Sequence, residues 1–262
     1  MSVEKSTSLH PATMRVLNLL EIISRNPHRY TLSDLSVNLS IPKSTLSPIL
    51  RTLLEKNYLS ADSMHRYSIG LAAGKLGQEF IEQVPFPGEA EKILSAITAA
   101  CKEACHFGIL SGGDILYLRK INSPQPIRMI SSVGATLPAY STAVGKALLM
   151  DLTYEELRSI YPEGLQAVTE NTITDLDVLY RELVNARKEG FTYEIEESNA
   201  FIRCIGTPVR KNGKCAAAIS VAVPTFRYNE EKADQIRSLL KSSSENLGNL
   251  LSVMDIHLED LI

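Results

Sequence analysis

The chain has 262 residues, 44% of them hydrophobic and 22% charged, which predicts a globular protein with room for two domains. No apolar run reaches the roughly 18 residues that a membrane-spanning helix needs, and the polar N-terminal segment is not a signal peptide. The net charge of −3 combines +3 over residues 1–80 (nine Lys and Arg, six Asp and Glu) with −6 over residues 81–262 (eighteen and twenty-four). A basic first part on an acidic body fits a nucleic-acid-binding segment joined to a module with another task.

Residues 11–69 are predicted to form a winged helix-turn-helix domain. A first helix spans residues 13–24, and Thr31 or Ser33 can cap a second one. The break Ser40-Ile41-Pro42 separates this helix from a third, which begins at Pro42. Two short strands then form a hairpin, the wing, over residues 58–60 and 67–69 with its tip at residues 62–66.

The third helix is the candidate DNA-reading element. Its solvent face offers cations and short hydroxyl side chains, and no carboxylate occurs before Glu55. Such a face suits a groove lined with phosphates and base edges. An ordinary helical hairpin is the alternative, but the basic wing tip favours DNA. The residues assigned to DNA are Lys43, Ser44, Thr45, Ser47, Arg51, His65 and Arg66.

The rest of the chain predicts an amphipathic linker helix over residues 70–85 and an α+β domain over residues 86–262. Turn signals at Ser111-Gly112-Gly113-Asp114 and Asn212-Gly213 indicate hairpins. Hairpins mixed with helices predict an antiparallel sheet flanked by helices. The predicted helices cover residues 88–105, 142–151, 154–160, 175–189 (capped by Thr174) and 229–249, and the strands residues 106–110, 115–120, 127–133, 191–195, 202–209 and 215–223.

The segment Ser141–Lys146 is a candidate anion site. A Ser or Thr cap followed by small residues opens a helix whose first amides lack partners, and such amides favour a carboxylate or phosphate. Plain helix capping is the alternative interpretation.

Other polar clusters are weaker candidates. Zinc needs about four ligands, and no second Cys/His pair accompanies Cys101, Cys105 and His106, so we expect no metal and no cofactor. The four cysteines lack paired spacing, which predicts reduced thiols in a cytoplasmic protein. The acidic residues Glu194, Glu196 and Glu197 are expected to be solvated in a loop. An enzyme acting on a small molecule, with an appended DNA-binding module, remains the alternative to a regulator.

Four segments in register resemble the IclR-type bacterial transcription regulators. The resemblance spans nearly the whole chain in the family's order. The segments are KSTLSPILRTLLEKNYL (43–59), RYSIGLAAGKLG (66–77), LPAYSTAVGKALL (137–149) and IRCIGTPVRKNGKCAAAISVAVP (202–224).

The resemblance implies a GAF-like effector-binding domain and a linker helix that pairs subunits. It also implies a homodimer or dimer of dimers on double-stranded operator DNA, with repression expected. The effector pocket would lie between the helix start near Thr142 and the strands near the C-terminus. The implied pocket residues are Met129, Leu137, Ala143, Val144, Glu194, Ile202, Cys204 and Ser220.

Three positions depart from the family pattern. Glu194 stands where many members have aspartate, and Ala222 replaces a second serine. The lost hydroxyl removes one donor for a carboxylate, so a neutral or larger effector is expected rather than a two- or three-carbon acid; candidates are an organic acid, a sugar acid or an aromatic metabolite. Pro48 stands where many members have arginine, and proline inside a helix predicts a kink.

Overall fold

A computed structural model of the chain describes residues 9–83, 88–126 and 133–258. The chain divides into two compact units, one ending at Gln83 and the other comprising the rest. Residues 127–132, with the predicted strand there and the predicted pocket residue Met129, lie outside the described residues.

The first unit has the predicted winged helix-turn-helix order. Thr31 caps the second helix in a capping box: its hydroxyl accepts a hydrogen bond from the Asp34 amide, and the Asp34 carboxylate accepts one from the Thr31 amide. The wing strands pair antiparallel, with Leu59 opposite Ile69. The elements are α1 (Pro11–Arg25), α2 (Leu32–Asn38), α3 (Lys43–Glu55), β1 (Leu59–Ala61), β2 (Tyr67–Ile69) and α4 (Leu71–Gln83).

Helix α3 is held by its apolar side. Leu46, Leu50 and Leu53 are buried in a core that Leu19, Ile23, Leu35, Leu59 and Tyr67 complete. Pro42 is the N-cap rather than the predicted first helical residue, and the helix continues through Pro48. Because Pro48 has no N–H, the Ser44 carbonyl receives no bond from it. The core therefore fixes which side of α3 faces outward.

The second unit is an α+β fold around a six-stranded antiparallel sheet, as predicted. Its strand order is β5-β4-β3-β8-β7-β6, and every neighbouring pair is antiparallel. The elements are α5 (Gly88–Cys101), β3 (Ala104–Ser111), β4 (Asp114–Ile121), β5 (Thr136–Pro138), α6 (Ala143–Leu149), α7 (Tyr154–Ile160), α8 (Leu176–Glu189), β6 (Thr192–Ile195), β7 (Ile202–Lys211), β8 (Lys214–Pro224) and α9 (Glu230–Val253).

Helices cover both faces of this sheet. Thr192 donates a hydrogen bond to the Ala143 carbonyl of α6, whereas the next residue, Tyr193, contacts Arg237 of α9 through its hydroxyl. Successive residues of a strand point to opposite faces, so α6 and α9 lie on opposite sides. Helix α5 packs with α9, and Lys232 of α9 donates to the Cys101 carbonyl at the end of α5.

In the second unit, two local predictions were wrong and one strand was missed. The helix predicted over residues 88–105 ends at Cys101, because Lys102 adopts a left-handed φ of 62° and β3 begins at Ala104. Asp175, not Thr174, caps α8, and its carboxylate accepts hydrogen bonds from the amides of residues 177 and 178. The short edge strand β5 was not predicted.

Candidate functional site

The outward side of α3 carries the predicted DNA contacts. Lys43, Ser44, Ser47 and Arg51 are exposed, and Thr45 is half-buried. The first carboxylate of the helix is its last residue, Glu55. The structure thus leaves two cations and three hydroxyl groups available on one helix, with no acid among them.

The wing is organised by one carboxylate. Asp62 accepts hydrogen bonds from the amides of Met64 and Arg66, both at 2.9 Å. The Arg66 guanidinium also binds Asp62, with Nε and Nη2 each 2.8 Å from Oδ2. The hydrogen bond from the Arg66 amide is the main cause that lowers the pKa of the Asp62 carboxyl. His65 is exposed at the tip with a φ of 55°, whereas the charge of Arg66 is already paired.

In the second unit, the start of α6 is pressed onto the sheet. Gly206 of β7 permits the close approach, because a Cβ there would lie 2.5 Å from the Ala143 carbonyl oxygen. The Thr192 hydroxyl donates to that same oxygen at 2.6 Å. Thr142 caps the helix by accepting from the Gly145 amide at 3.0 Å. This anchoring fixes the first turn of α6 over β7.

Two amides of this first turn have no hydrogen-bond acceptor among the described residues. Ala143 and Val144 are each 1% exposed, and their N–H groups donate to none of the described residues. Apolar side chains surround them on both sides. Ala143 packs with Ile202, Cys204 and Ala222, and Val144 with a second group that includes Tyr117 and Ala218, against which the half-buried Leu137 packs.

Glu194 is buried on the same side of the sheet. It is fully inaccessible and lies opposite Cys204 in the β6–β7 register. Its Oε1 accepts from the amides of Glu197 at 2.8 Å and Ser198 at 3.1 Å, whereas Oε2 has no hydrogen-bond partner among the described residues. Burial raises the pKa of the carboxyl. The prediction that the acidic residues of this segment are solvated was wrong for Glu194 and Glu197, which are both buried, whereas Glu196 is half-buried.

Ser220 belongs to the same surface. It is 3% exposed and pairs with Gly206 on one side and His106 on the other, so its side chain points toward α6. The His106 ring lies edge-on to Tyr117 with centroids 5.4 Å apart. Burial lowers the pKa of His106 to about 3, so this imidazole is neutral near pH 7. Neither His106 nor Tyr117 was among the predicted pocket residues.

Lys146 was also missed. It lies on α6, three residues after Ala143, and its side chain is fully buried among two glutamates. A lysine in a short helix normally predicts a solvated side chain, and its partners are 36 and 51 residues away in sequence. Local patterns carry no signal for such a contact.

The cysteines do not assemble a reactive centre. Cys105 and His106 are consecutive residues of β3, so their side chains point to opposite faces of the sheet. Burial raises the pKa of the Cys204 thiol well above its usual value, which disfavours the thiolate that a nucleophile needs. Among the described residues, no three His, Cys, Asp or Glu side chains are grouped to hold a metal ion.

The part of the chain that the structure describes includes no helix with both the length and the apolar character needed to cross a bilayer.

Comparison with known proteins gives matches to both units. The family described as the IclR helix-turn-helix domain matches residues 12–63, and the family described as the bacterial transcriptional regulator IclR C-terminal domain matches residues 78–249. The chain is 28% identical to the HTH-type transcriptional regulator KdgR of Escherichia coli K12 over 97% of each protein. It is 27% identical to the HTH-type transcriptional repressor AllR of the same strain, covering 92% of this chain and 90% of AllR.

Solved structures agree with these matches. An IclR transcriptional regulator from Alicyclobacillus acidocaldarius superposes with a TM-score of 0.76 at 25% identity, covering 92% of this chain and 99% of that one. The IclR protein of Thermotoga maritima superposes with a TM-score of 0.69 at 28% identity, covering 93% and 100%.

Proposed function

The chain belongs to the IclR family of bacterial transcriptional regulators, and we propose that it represses transcription by binding an operator whose affinity an effector controls. The observation that carries the DNA-binding half is the exposed, acid-free face of α3. Repression is favoured because AllR, one of the similar proteins, is a transcriptional repressor. The protein acts in the cytoplasm, where operator DNA is accessible.

The DNA contacts divide by chemistry. Lys43 and Arg51 bind phosphates or guanine edges, and the hydroxyls of Ser44, Thr45 and Ser47 contact base edges or backbone. His65 and Arg66 lie in the wing beside the backbone. To bind a phosphate, the Arg66 guanidinium must either leave the Asp62 carboxylate or bind both groups at once.

The effector binds between the first turn of α6 and strands β6, β7 and β8. The amides of Ala143 and Val144 and the Ser220 hydroxyl donate to an acceptor such as a carboxylate oxygen. Glu194 Oε2 needs a donor, which the described residues do not supply. An effector with both groups, such as a hydroxylated organic acid, a sugar acid or a hydroxy-aromatic acid, meets both needs.

Apolar side chains complete this site. Leu137, Ile202 and Cys204 pack around the start of α6, and they exclude water from the polar contacts. Met129 is retained as a pocket residue on the family resemblance alone.

Helix α4 pairs two subunits into a homodimer, which can form a dimer of dimers. Its side chains Leu71 and Leu76 are 71% and 58% exposed, so most of their apolar surface is available to a partner helix. The DNA-binding domain comprises residues 11–69, the linker helix residues 70–85, and the effector-binding domain residues 86–262.

The test joins the two sites. The purified protein is titrated against DNA upstream of its own gene, with and without compounds that raise its melting temperature in a screen of organic acids, sugar acids and aromatic metabolites. Thermodynamic linkage requires that effector and operator alter each other's affinity by the same factor. The coupling free energy that corresponds to this factor is typically about 1–3 kcal/mol. A compound that is consumed, and that leaves DNA affinity unchanged, would instead support the enzyme alternative.

A further inference from the structure

Three charged side chains meet beside the proposed effector site; Lys146 and Glu197 are buried, and Glu182 is partly exposed. Lys146 of α6 is fully buried, and its Nζ lies 2.7 Å from Glu197 Oε1 and 2.8 Å from Glu182 Oε1 of α8. We call these three residues the charge triad. Burial raises the pKa of Glu197, an effect that the lysine opposes. The triad therefore joins α6, α8 and the loop that follows β6.

The triad holds the backbone on both sides of Glu194. Lys146 Nζ donates to the Tyr193 carbonyl at 3.1 Å, directly before Glu194. It also binds the side chain of Glu197, whose own amide donates to Glu194 Oε1 at 2.8 Å. One ammonium group thus fixes the segment that orients the carboxylate.

Other contacts to this loop do not replace Lys146. Thr169 donates to the Glu196 carbonyl and Thr172 to the Glu197 carbonyl, both at 2.7 Å. Those hydroxyls hold main-chain oxygens, whereas among the described residues Lys146 is the cation that holds the Glu197 carboxylate. Its Cα lies one helical turn from Ala143, whose amide is a proposed effector donor.

We propose that Lys146 is a positioning residue: it sets the orientation of the Glu194 carboxylate relative to the free amides of α6. The inference rests on the proposed effector site. Lys146 does not touch the effector itself. It determines, through Glu197 and the Tyr193 carbonyl, where the unpaired oxygen of Glu194 points.

The competing explanation is that the charge triad only stabilises the fold. Variants that remove its charges distinguish this explanation from positioning of Glu194. Removing the lysine alone leaves the buried Glu197 carboxylate and the partly exposed Glu182 carboxylate without a cation. An unpaired buried charge strongly destabilises a fold, whereas neutralising all partners together is often tolerated. The test variant is therefore K146M/E182Q/E197Q. Lys146→Arg is a second variant, because arginine keeps the charge but its planar fork has another geometry. Glu189→Gln, at an exposed position of α8, is the matched control.

The measurement is amide hydrogen exchange of the full-length protein, with no effector or DNA present. The amides of residues 197 and 198 report on Glu194, because they donate to it, and the Gly145 amide reports on the cap of α6. We expect the triple variant to recover most of the melting temperature that Lys146→Met loses. Exchange at residues 197 and 198 should nevertheless accelerate about tenfold, while Gly145 and the control stay unchanged.

Unchanged exchange at residues 197 and 198 in a stable triple variant would overturn the proposal. If the triple variant does not fold, Lys146→Arg decides the question: faster exchange at those two amides supports positioning, and wild-type exchange contradicts it. Because the readout needs neither DNA nor effector, it can fail while the proposed function stands, and the reverse also holds.

Discussion

Arg66 and Asp62 form a closed ion pair within the wing, in which Nε and Nη2 of the arginine both lie 2.8 Å from one carboxylate oxygen. Both side chains are partly exposed, so the pair contributes little to stability. Its consequence is electrostatic, because it withholds one positive charge from the surface that we assign to DNA. Asp62 thereby limits how strongly the wing attracts phosphate.

Asp62→Asn should release Arg66. The asparagine oxygen can still accept from the two wing amides, but it no longer neutralises the guanidinium. We expect tighter DNA binding. We also expect the slope of log affinity against log salt concentration to be steeper by about one. Titrations at several salt concentrations measure this, with Asp234→Asn, which removes one carboxylate from beside Arg237 in the second unit, as control. An unchanged slope would show that Arg66 does not reach the DNA.

Ser220→Ala should impair effector binding and leave DNA binding intact. One lost hydrogen bond costs about 0.5–1.5 kcal/mol, which corresponds to roughly a two- to twelvefold weaker affinity. Calorimetry with a compound identified by the thermal screen measures the change, and Ser238→Ala on the exposed side of α9 serves as control. Equal affinities for the variant and the wild type would remove Ser220 from the site.

Glu194→Gln should change how stability depends on pH. Burial raises the folded-state pKa of Glu194 above its ordinary value of 4.5. Its contribution to stability is therefore fully present below the unfolded-state pKa, and it is lost as the pH rises through the folded-state pKa. Glutamine cannot ionise, so the melting temperature of the variant should rise relative to that of the wild type as the pH increases above the ordinary glutamate value of 4.5. Each kcal/mol of stability corresponds to roughly 2–4 °C in melting temperature.

Melting curves across this pH range provide the measurement. Glu189→Gln, whose side chain is exposed, is the control variant. A melting-temperature difference between Glu194→Gln and the wild type that does not vary with pH would mean that the Glu194 carboxyl is not desolvated.

Leu76→Ser should weaken self-association. The side chain is 58% exposed in a single chain, so the substitution costs little in the monomer but removes apolar area from a helix pair. Sedimentation velocity over a concentration series should show a shift toward monomer relative to the wild type. Identical distributions would place the subunit contact elsewhere.

Much of the fold could be predicted because its signals are local. The capping box of α2 is formed by Thr31 and Asp34, which are three residues apart. The hairpin turn at Asn212-Gly213, with φ values of 50° and 82°, also depends only on residues close in sequence. The apolar spacing of Leu46, Leu50 and Leu53 likewise determines which side of α3 is buried.

The missed features depend on contacts between distant residues. Lys146 and Glu197 look like surface residues in sequence, and only the packing of α6 against the loop after β6 buries them together. Strand β5 is three residues long and forms only by pairing with β4. Lys102 ends α5 in a left-handed conformation that glycine usually adopts, so the sequence contains no stop signal there.

Salt-dependent operator titration of Lys43→Ala and Arg51→Ala tests whether the exposed face of α3 reads DNA. Each substitution should weaken binding to DNA upstream of the protein's own gene. The loss should be about 1–3 kcal/mol if the residue contacts a base. If it contacts a phosphate, the slope of log affinity against log salt should be lower by about one. Lys188→Ala, in the second unit, should match the wild type. If both α3 variants bind with the wild-type affinity and salt slope, or if the wild-type protein does not bind this DNA at low salt, then α3 does not read DNA.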